Sequence, residues 1–469
     1  MTDVDAVVVG AGLNGLVGAV ALAQAGLRVL VLEAAERPGG ALRTEEVTLP
    51  GFRHDLGGTI HAIGLASPAL RALELPVSYA HPPVPLGHAL APGRSVLLRR
   101  SATETALGLG RDGRRWRDVV GGFGERWERL AATVLDTTRL PPPAPAELLR
   151  FGLHGAWPAT TTLRAFREEP ARALFAGLAA HTMLPLSAWT TAGYGLVLGA
   201  LAHGVGWPVA VGGSQALADA LVTRLESLGG TIETGRRVRS LDELPAAGAV
   251  LLDLTPRQLL VVAGERLPRR LARRLEHWRY GPAVFKVDWA LDAPVPWSDP
   301  ALAEAGTVHL GGSAAAIVAS ERAVADGRVS AEPFVLVVQP TVADPSRAPA
   351  GRHTLWAYLH VPNGWDGDAT ELIERRIEAH APGFRERVLA RHAMGPAALE
   401  AWDANLVGGD IGGGSADWRQ FVARPRLAVR PWELPGTNLY LASASALPGG
   451  GLHGMSGWLA AESALRRLR

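Results

Sequence analysis

The apolar positions fall into short runs broken by glycine, and the first of them sets the pattern. Ala6 to Val9 is a four-residue apolar run rich in β-branched side chains, the composition of a strand buried on both faces. Gly10, Gly12 and Gly15 follow at once as G-x-G-x-x-G. Leu16 to Gly26 is rich in Ala and Leu and reads as a helix stopped by Gly26. Val29 to Leu32 is a second apolar strand, and it ends on Glu33. Each piece has a physical task. Gly10 permits a tight turn, Gly12 lets the backbone approach a pyrophosphate, and Gly15 lets helix and strand pack closely. The free N–H groups of the helix start attract phosphate, and an acid in the position of Glu33 accepts hydrogen bonds from a ribose. Strand, turn, helix, strand and acid in that order predict a dinucleotide site rather than a purely structural glycine turn.

The pattern returns further along. Gly51 to Gly58 reads as a short strand into a glycine turn. Gly212 and Gly213 precede a helix to Leu228 with Ser214 as its cap, then a strand at Thr231–Thr234 and the segment Gly235–Leu241. Ala249 to Leu252 is another apolar run, followed by Asp253 and Thr255-Pro256. Ala283 to Leu291 alternates well enough for a sheet strand, and Thr307–Gly312, Phe334–Gln339 and Thr354–His360 read likewise. Residues 80–150 are less regular: proline-rich pieces bracket helices such as Trp116–Thr133. Asn438 to Trp458 reads as strand, glycine-rich loop and a helix to the end. The expected class is α/β: a Rossmann-like domain with a parallel sheet, plus an inserted α+β substrate domain with a mixed or antiparallel sheet. The expected boundaries are 1–80, 205–275 and 415–469 for the first, and 81–204 and 276–414 for the second.

Composition narrows the chemistry. At 469 residues, 48% hydrophobic and 20% charged, the chain is an ordinary globular protein with room for two domains. Net charge is only +2, and the basic balance is carried by arginine, since Lys286 is the sole lysine, so no nucleic-acid surface is indicated. There are no cysteines, which excludes disulfides, thiolate metal sites and a redox dithiol. No zinc spacing, P-loop or Gly-x-Ser-x-Gly elbow is present, and no metal is expected. The N-terminus shows no signal-peptide pattern, so a cytoplasmic location is the default. From Phe175 to Ala218 there is no Asp, Glu, Lys or Arg. Such a stretch is buried core, or a cavity wall, or a contact with a membrane surface; prolines and glycines interrupt it too often for a spanning helix.

The stretch Val7–Arg43, with its second glycine pair Gly39-Gly40, resembles the two-dinucleotide-binding-domain flavoproteins, the amine oxidase superfamily that includes the phytoene desaturases. The segment Ser443 to Trp458 resembles their C-terminal flavin motif, departing from it at Leu447 and His453. The resemblance implies FAD. It implies contacts from Gly10, Gly12, Leu13, Asn14 and Gly15 in the first turn, and from Glu33 and Ala34 after the second strand. Gly39, Gly40 and Arg43 would face the diphosphate, and the Val238 backbone the adenine. Ser443, Gly451, His453, Gly454 and Met455 would complete the flavin end, where the positive end of a helix favours reduced flavin.

A flavin performs the hard step, so few protein groups need be catalytic. His453, at the loop–helix junction, is the first candidate, with a capping role as the alternative. Asp410 in Gly408–Gly414 is a proton acceptor or a turn-forming acid. His203 in the uncharged stretch reads as a buried histidine with one partner. Lys286 matters because amine oxidases of this fold hold a water near the flavin with a lysine. The expected protein is an FAD-dependent, phytoene desaturase-like oxidoreductase acting on an apolar lipid or isoprenoid-type substrate. Alternatives are a flavin amine oxidase, a redox-neutral flavin-dependent isomerase and a non-catalytic FAD-bearing scaffold. Peripheral membrane contact and oligomeric state stay open.

Overall fold

The computed structural model describes residues 4–136 and 141–468; the expected domain limits at 1 and 469 lie outside the described residues. In chain order the first strands are Ala6–Val9 (β1), Val29–Leu32 (β2), Val84–Ala91 (β3) and Arg94–Leu98 (β4). Thr231–Glu233 (β5), Ala249–Leu252 (β6), Ala283–Leu291 (β7) and Ala305–Leu310 (β8) follow. Val335–Val338 (β9), His353–Val361 (β10), Val388–Met394 (β11) and Leu439–Leu441 (β12) complete the two large sheets, beside two short two-stranded ladders. The helices that matter here are Leu13–Gln24 (α1), Glu169–Ala180 (α2) and Thr191–Gly204 (α3). Gln215–Ser227 (α4), Thr370–His380 (α5) and Met455–Leu468 (α6) are the others.

Five strands form a parallel sheet in the order β12-β6-β1-β2-β5. The chain leaves β1 towards β2 on one side and returns to β6 on the other. The carboxyl ends of β1 and β6 therefore flank a switch point, where ligands bind in open α/β sheets. Helix α1 starts at Leu13 rather than Leu16, because the glycine turn is tight enough for Gly12 to serve as N-cap. It ends before Gly26, whose φ of 88° is left-handed and suits glycine alone.

The other seven strands form a mixed sheet, β11-β7-β10-β9-β8-β3-β4, in which only β8 and β3 run parallel. Period-two alternation decides its faces. Phe285, Val287, Trp289 and Leu291 of β7 pack with Ile373 and Ile377 of α5, and the Trp289 Nε1 donates to Glu374. Val284, Lys286 and Asp288 point the other way. The uncharged stretch is mainly core: α2 and α3 pack together and bury Leu174, Phe175, Leu178, Leu196 and Leu201. No helix among the described residues is long and apolar enough to cross a membrane.

Three details differ from the sequence reading. The helix expected at Trp116–Thr133 is broken into Gly113–Trp116, a π turn at Arg117–Gly121, Gly122–Gly124 and Trp127–Val134. Three glycines within four residues make a continuous helix costly there. Strands β3 and β4 fall in a region read as irregular. Ser214 is not a side-chain cap: its hydroxyl donates to the Gly58 carbonyl and bonds His61 instead.

Candidate functional site

The two glycine turns touch. Gly12 and Gly39 form a bridge, and the Gly39 N–H donates to the Ala11 carbonyl at 2.8 Å. A Cβ on Gly40 would stand 3.0 Å from the Gly12 Cα, so the close approach of the turns requires glycine. Glu33 receives the Ala11 N–H on Oε2 (2.6 Å) and the Ala35 N–H on Oε1 (2.8 Å), which fixes the carboxylate beside the turn. The loop after β5 runs along the same place. The Arg236 N–H donates to the Glu33 carbonyl and the Gly235 N–H to the Ala35 carbonyl, which brings Val238 to this end of the sheet.

Helix α6 lies against α1. A Cβ on Gly457 would come within 1.8 Å of the Asn14 carbonyl oxygen, so the first turns of the two helices are in backbone contact. His453 caps α6: its Nδ1 accepts the Met455 N–H at 3.0 Å and its Nε2 bonds the Gly449 carbonyl at 3.1 Å. Burial drives its pKa down to about 4, so the ring is neutral and both nitrogens are engaged. Ser443 ties β12 to β6 by donating to the Leu254 carbonyl. Arg43 donates to the Trp402 and Gly40 carbonyls, and its guanidinium lies 4.3 Å from the Trp402 ring centre.

The residues present fit FAD. The α1 N-terminus carries no side-chain cap on Gly12 and no acid in its first turn. Asn14 Oδ1 in that turn is buried and has no hydrogen-bond partner. Backbone donors, an arginine and an acid at the strand end match a diphosphate and a ribose.

The other candidates separate into distinct places. Asp410 accepts the Gly281 and Gly412 N–H groups on its two oxygens, the arrangement of a turn-forming acid; burial raises its pKa. His203 accepts from Trp116 Nε1 and bonds the Arg100 carbonyl. Lys286 is buried and paired with Asp288 at 2.5 Å, and its ammonium lies 5.2 Å from the Trp356 ring centre. Burial alone would raise the Asp288 pKa, but Lys286 and His54 outweigh it and hold it below the usual carboxylate range. Around this group the sheet face is aromatic and aliphatic. Trp356 and Tyr358 stack at 5.7 Å, Leu336 and Val338 adjoin them, and Ile60 packs on them from outside the sheet. Val284, Met183, Met394 and Leu56 form a further apolar cluster with Tyr358 and Trp402.

Several participants were not visible in the sequence. Asp253, Asp403 and Asn405 gather at the glycine turn from across more than two hundred residues of chain, and Gly457 carries no motif of its own. Asp253 stood in view as an acid ending an apolar strand, the one local signal available.

Two crossing glycine turns on a parallel sheet are thus joined to a second sheet that floors an apolar region. Residues 8–73 match the NAD(P)-binding Rossmann-like domain family. The rat pyridine nucleotide-disulfide oxidoreductase domain-containing protein 2 is 27% identical over all of this chain and 94% of its own. The neurosporene-forming phytoene desaturase of Rhodobacter capsulatus is 26% identical over 96% of this chain and 92% of its own. The solved cyclohexylamine oxidase of Brevibacterium oxydans has the same fold at 16% identity, with a TM-score of 0.62 over the whole of both chains. The chain is an FAD-dependent oxidoreductase, similar along nearly its whole length to a phytoene desaturase and in fold to an amine oxidase. Having no cysteine, it performs no thiol–disulfide step of its own.

Proposed function

We propose that the protein oxidises an apolar, lipid- or isoprenoid-type substrate. The observation that carries this is the sheet face with Trp356, Tyr358, Leu336, Val338 and Val284, joined by Met183 and Met394. Apolar walls with few polar groups suit a substrate held by burial rather than by ion pairing. Bound FAD supplies the acceptor for a hydride. Glu33, the glycine turns, Arg43, the Val238 backbone and the start of α6 would hold the cofactor. The Lys286–Asp288–His54 group is a buried polar element on that face, its ammonium 5.2 Å from the Trp356 ring centre. Anaerobic addition of a polyene and lipid panel is expected to bleach the oxidised-flavin absorbance. Bound flavin that no member of the panel reduces would argue instead for the scaffold, and product without net reduction for the isomerase.

The amine oxidase reading is favoured by one feature, the buried lysine. Lys286→Met is expected to cost about 3–5 kcal/mol of stability by leaving Asp288 buried without its cation. Lys286→Met combined with Asp288→Leu should recover most of that loss, read as Tm. Hydrogen peroxide release from an amine panel that stays absent in the refolded double variant, yet is present in the wild type, would establish the amine reading.

Peripheral contact with a lipid surface also belongs to this reading. Leu149, Leu153, Trp157 and Trp189 are exposed, and the two tryptophan rings lie 5.3 Å apart. Co-sedimentation with anionic vesicles is expected, and Leu149→Asp with Leu153→Asp should abolish it.

A further inference from the structure

We propose that Asp253 takes up a proton when the cofactor's diphosphate enters the glycine turn, so that the neutral acid, not the carboxylate, is its form in the loaded protein. The inference rests on the FAD reading of this turn.

Asp253 follows β6 directly and reaches into the G-x-G-x-x-G loop, where its Oδ2 accepts the Gly15 N–H at 2.9 Å. A Cβ on Gly12 would lie 2.7 Å from that same oxygen. The acid thus occupies the wall of the cradle that the glycines open for phosphate. Its position is locked by the neighbouring loop: Asn405 donates to the Asp253 carbonyl and accepts the Thr255 N–H. The same loop brings Asp403 to the other side, 3.7 Å from where a Gly40 Cβ would stand.

The charges that face Asp253 are Glu33 at the end of β2 and Asp403 in the loop, both acidic. Strand β1 and helix α1 supply no charged side chain. Arg43, the cation of this region, acts on Asp403. Burial, with Asp403 and Glu33 adding to it, raises the Asp253 pKa to about 7 against the pull of the Gly15 N–H. A diphosphate adds two further negative charges to a buried place already holding three acids. Keeping Asp253 ionised beside it is costly, whereas a neutral acid both removes the repulsion and offers a donor hydrogen to a phosphate oxygen.

The sign follows. Binding that takes up a proton is unaffected by pH below the free value and weakens tenfold per unit above it. Flavin-free protein titrated with FAD, followed by quenching of flavin fluorescence, should show a Kd that rises about 30-fold from about pH 6 to about pH 8.5. In Asp253→Asn, where the amide oxygen still accepts the Gly15 N–H, the Kd should stay tight and flat across that range. Calorimetry of the wild type in buffers of different ionisation enthalpy should count close to one proton taken up at the alkaline end, a readout that needs no variant. A flat wild-type profile, zero proton uptake, or a slope that persists in Asp253→Asn would each overturn the inference while leaving FAD binding intact. No FAD uptake at any pH would overturn the cofactor reading itself, and the inference with it.

Discussion

Gly457→Val is expected to yield protein purified without flavin and with a markedly lowered Tm. Even a Cβ at this position would stand 1.8 Å from the Asn14 carbonyl oxygen and 2.6 Å from its carbon, both backbone atoms in the first turn of α1. Side chains can rotate away from such a contact, but a helix backbone cannot. The fit is reciprocal: a Cβ on Gly18 would lie 3.1 Å from the Gly457 carbonyl oxygen. Valine would force α6 away from α1, with an overpacking cost on the order of 3 kcal/mol or more. The displaced backbone is the one that carries the cofactor turn, so the flavin-to-protein absorbance ratio after gel filtration should collapse. Gly152→Ala is the control. It sits on an exposed helix with no atom within 4 Å of the added methyl, and should stabilise by about 0.5–1 kcal/mol. A Gly457→Val protein that keeps stoichiometric FAD would show that the α1–α6 contact does not govern the site.

Arg347→Met is expected to be the most destabilising change away from the glycine turns. Arg347 is fully buried and joins segments far apart in the chain. It donates to Asp55 at 3.0 Å, to Asp344 at 2.9 Å and to the Ala210 carbonyl at 3.2 Å. Asp55 in turn accepts the Thr44 hydroxyl and the Ser214 N–H, and Asp344 accepts the Gly212 N–H. Removing the guanidinium leaves two buried carboxylates without their cation, a loss of about 3–5 kcal/mol. Lysine should rescue little of it, because one ammonium cannot reproduce the planar fork. Both carboxyl groups lie below their usual range; burial opposes this, and Arg347 with the hydrogen bonds prevails. Their contribution is therefore present above about pH 4 and is lost as pH falls through the depressed values. The stability gap between wild type and Arg347→Met, measured by urea melts, should be widest near neutrality and narrow in acid. A gap that stays constant down to acid pH would exclude the ion pairs as its source.

What the sequence made legible follows from how local each signal is. The β1–α1–β2 unit was readable because strand run, glycine turn and acid lie within thirty residues and each dictates the next. Strand β7 was readable residue for residue because alternation carries its own period. Strand β3 was not, since Pro85 belongs to a proline-rich piece in a stretch that reads as irregular. The structure shows why proline is tolerated there: pairing with β4 begins only at Leu86, so Pro85 stands where one side of the strand is still an edge. Gly87 makes room for Leu302, a partner no local pattern announces. In the site, the residues of the glycine turns were legible and those that close over them were not. Asp253, Asp403 and Gly457 acquire meaning only when the sheet order brings the ends of β1, β6 and β12 side by side.

The single lysine has a practical corollary. Its ε-amine is 3% exposed and held by Asp288, so the folded surface offers amine-directed reagents no lysine side chain to modify. Acylation of that one nitrogen can proceed only through molecules that have opened around β7 and β10. Its rate, followed by mass spectrometry, is then a one-site clock for native-state opening, and slowing of that clock by FAD would gauge how far the cofactor's grip extends into the second sheet.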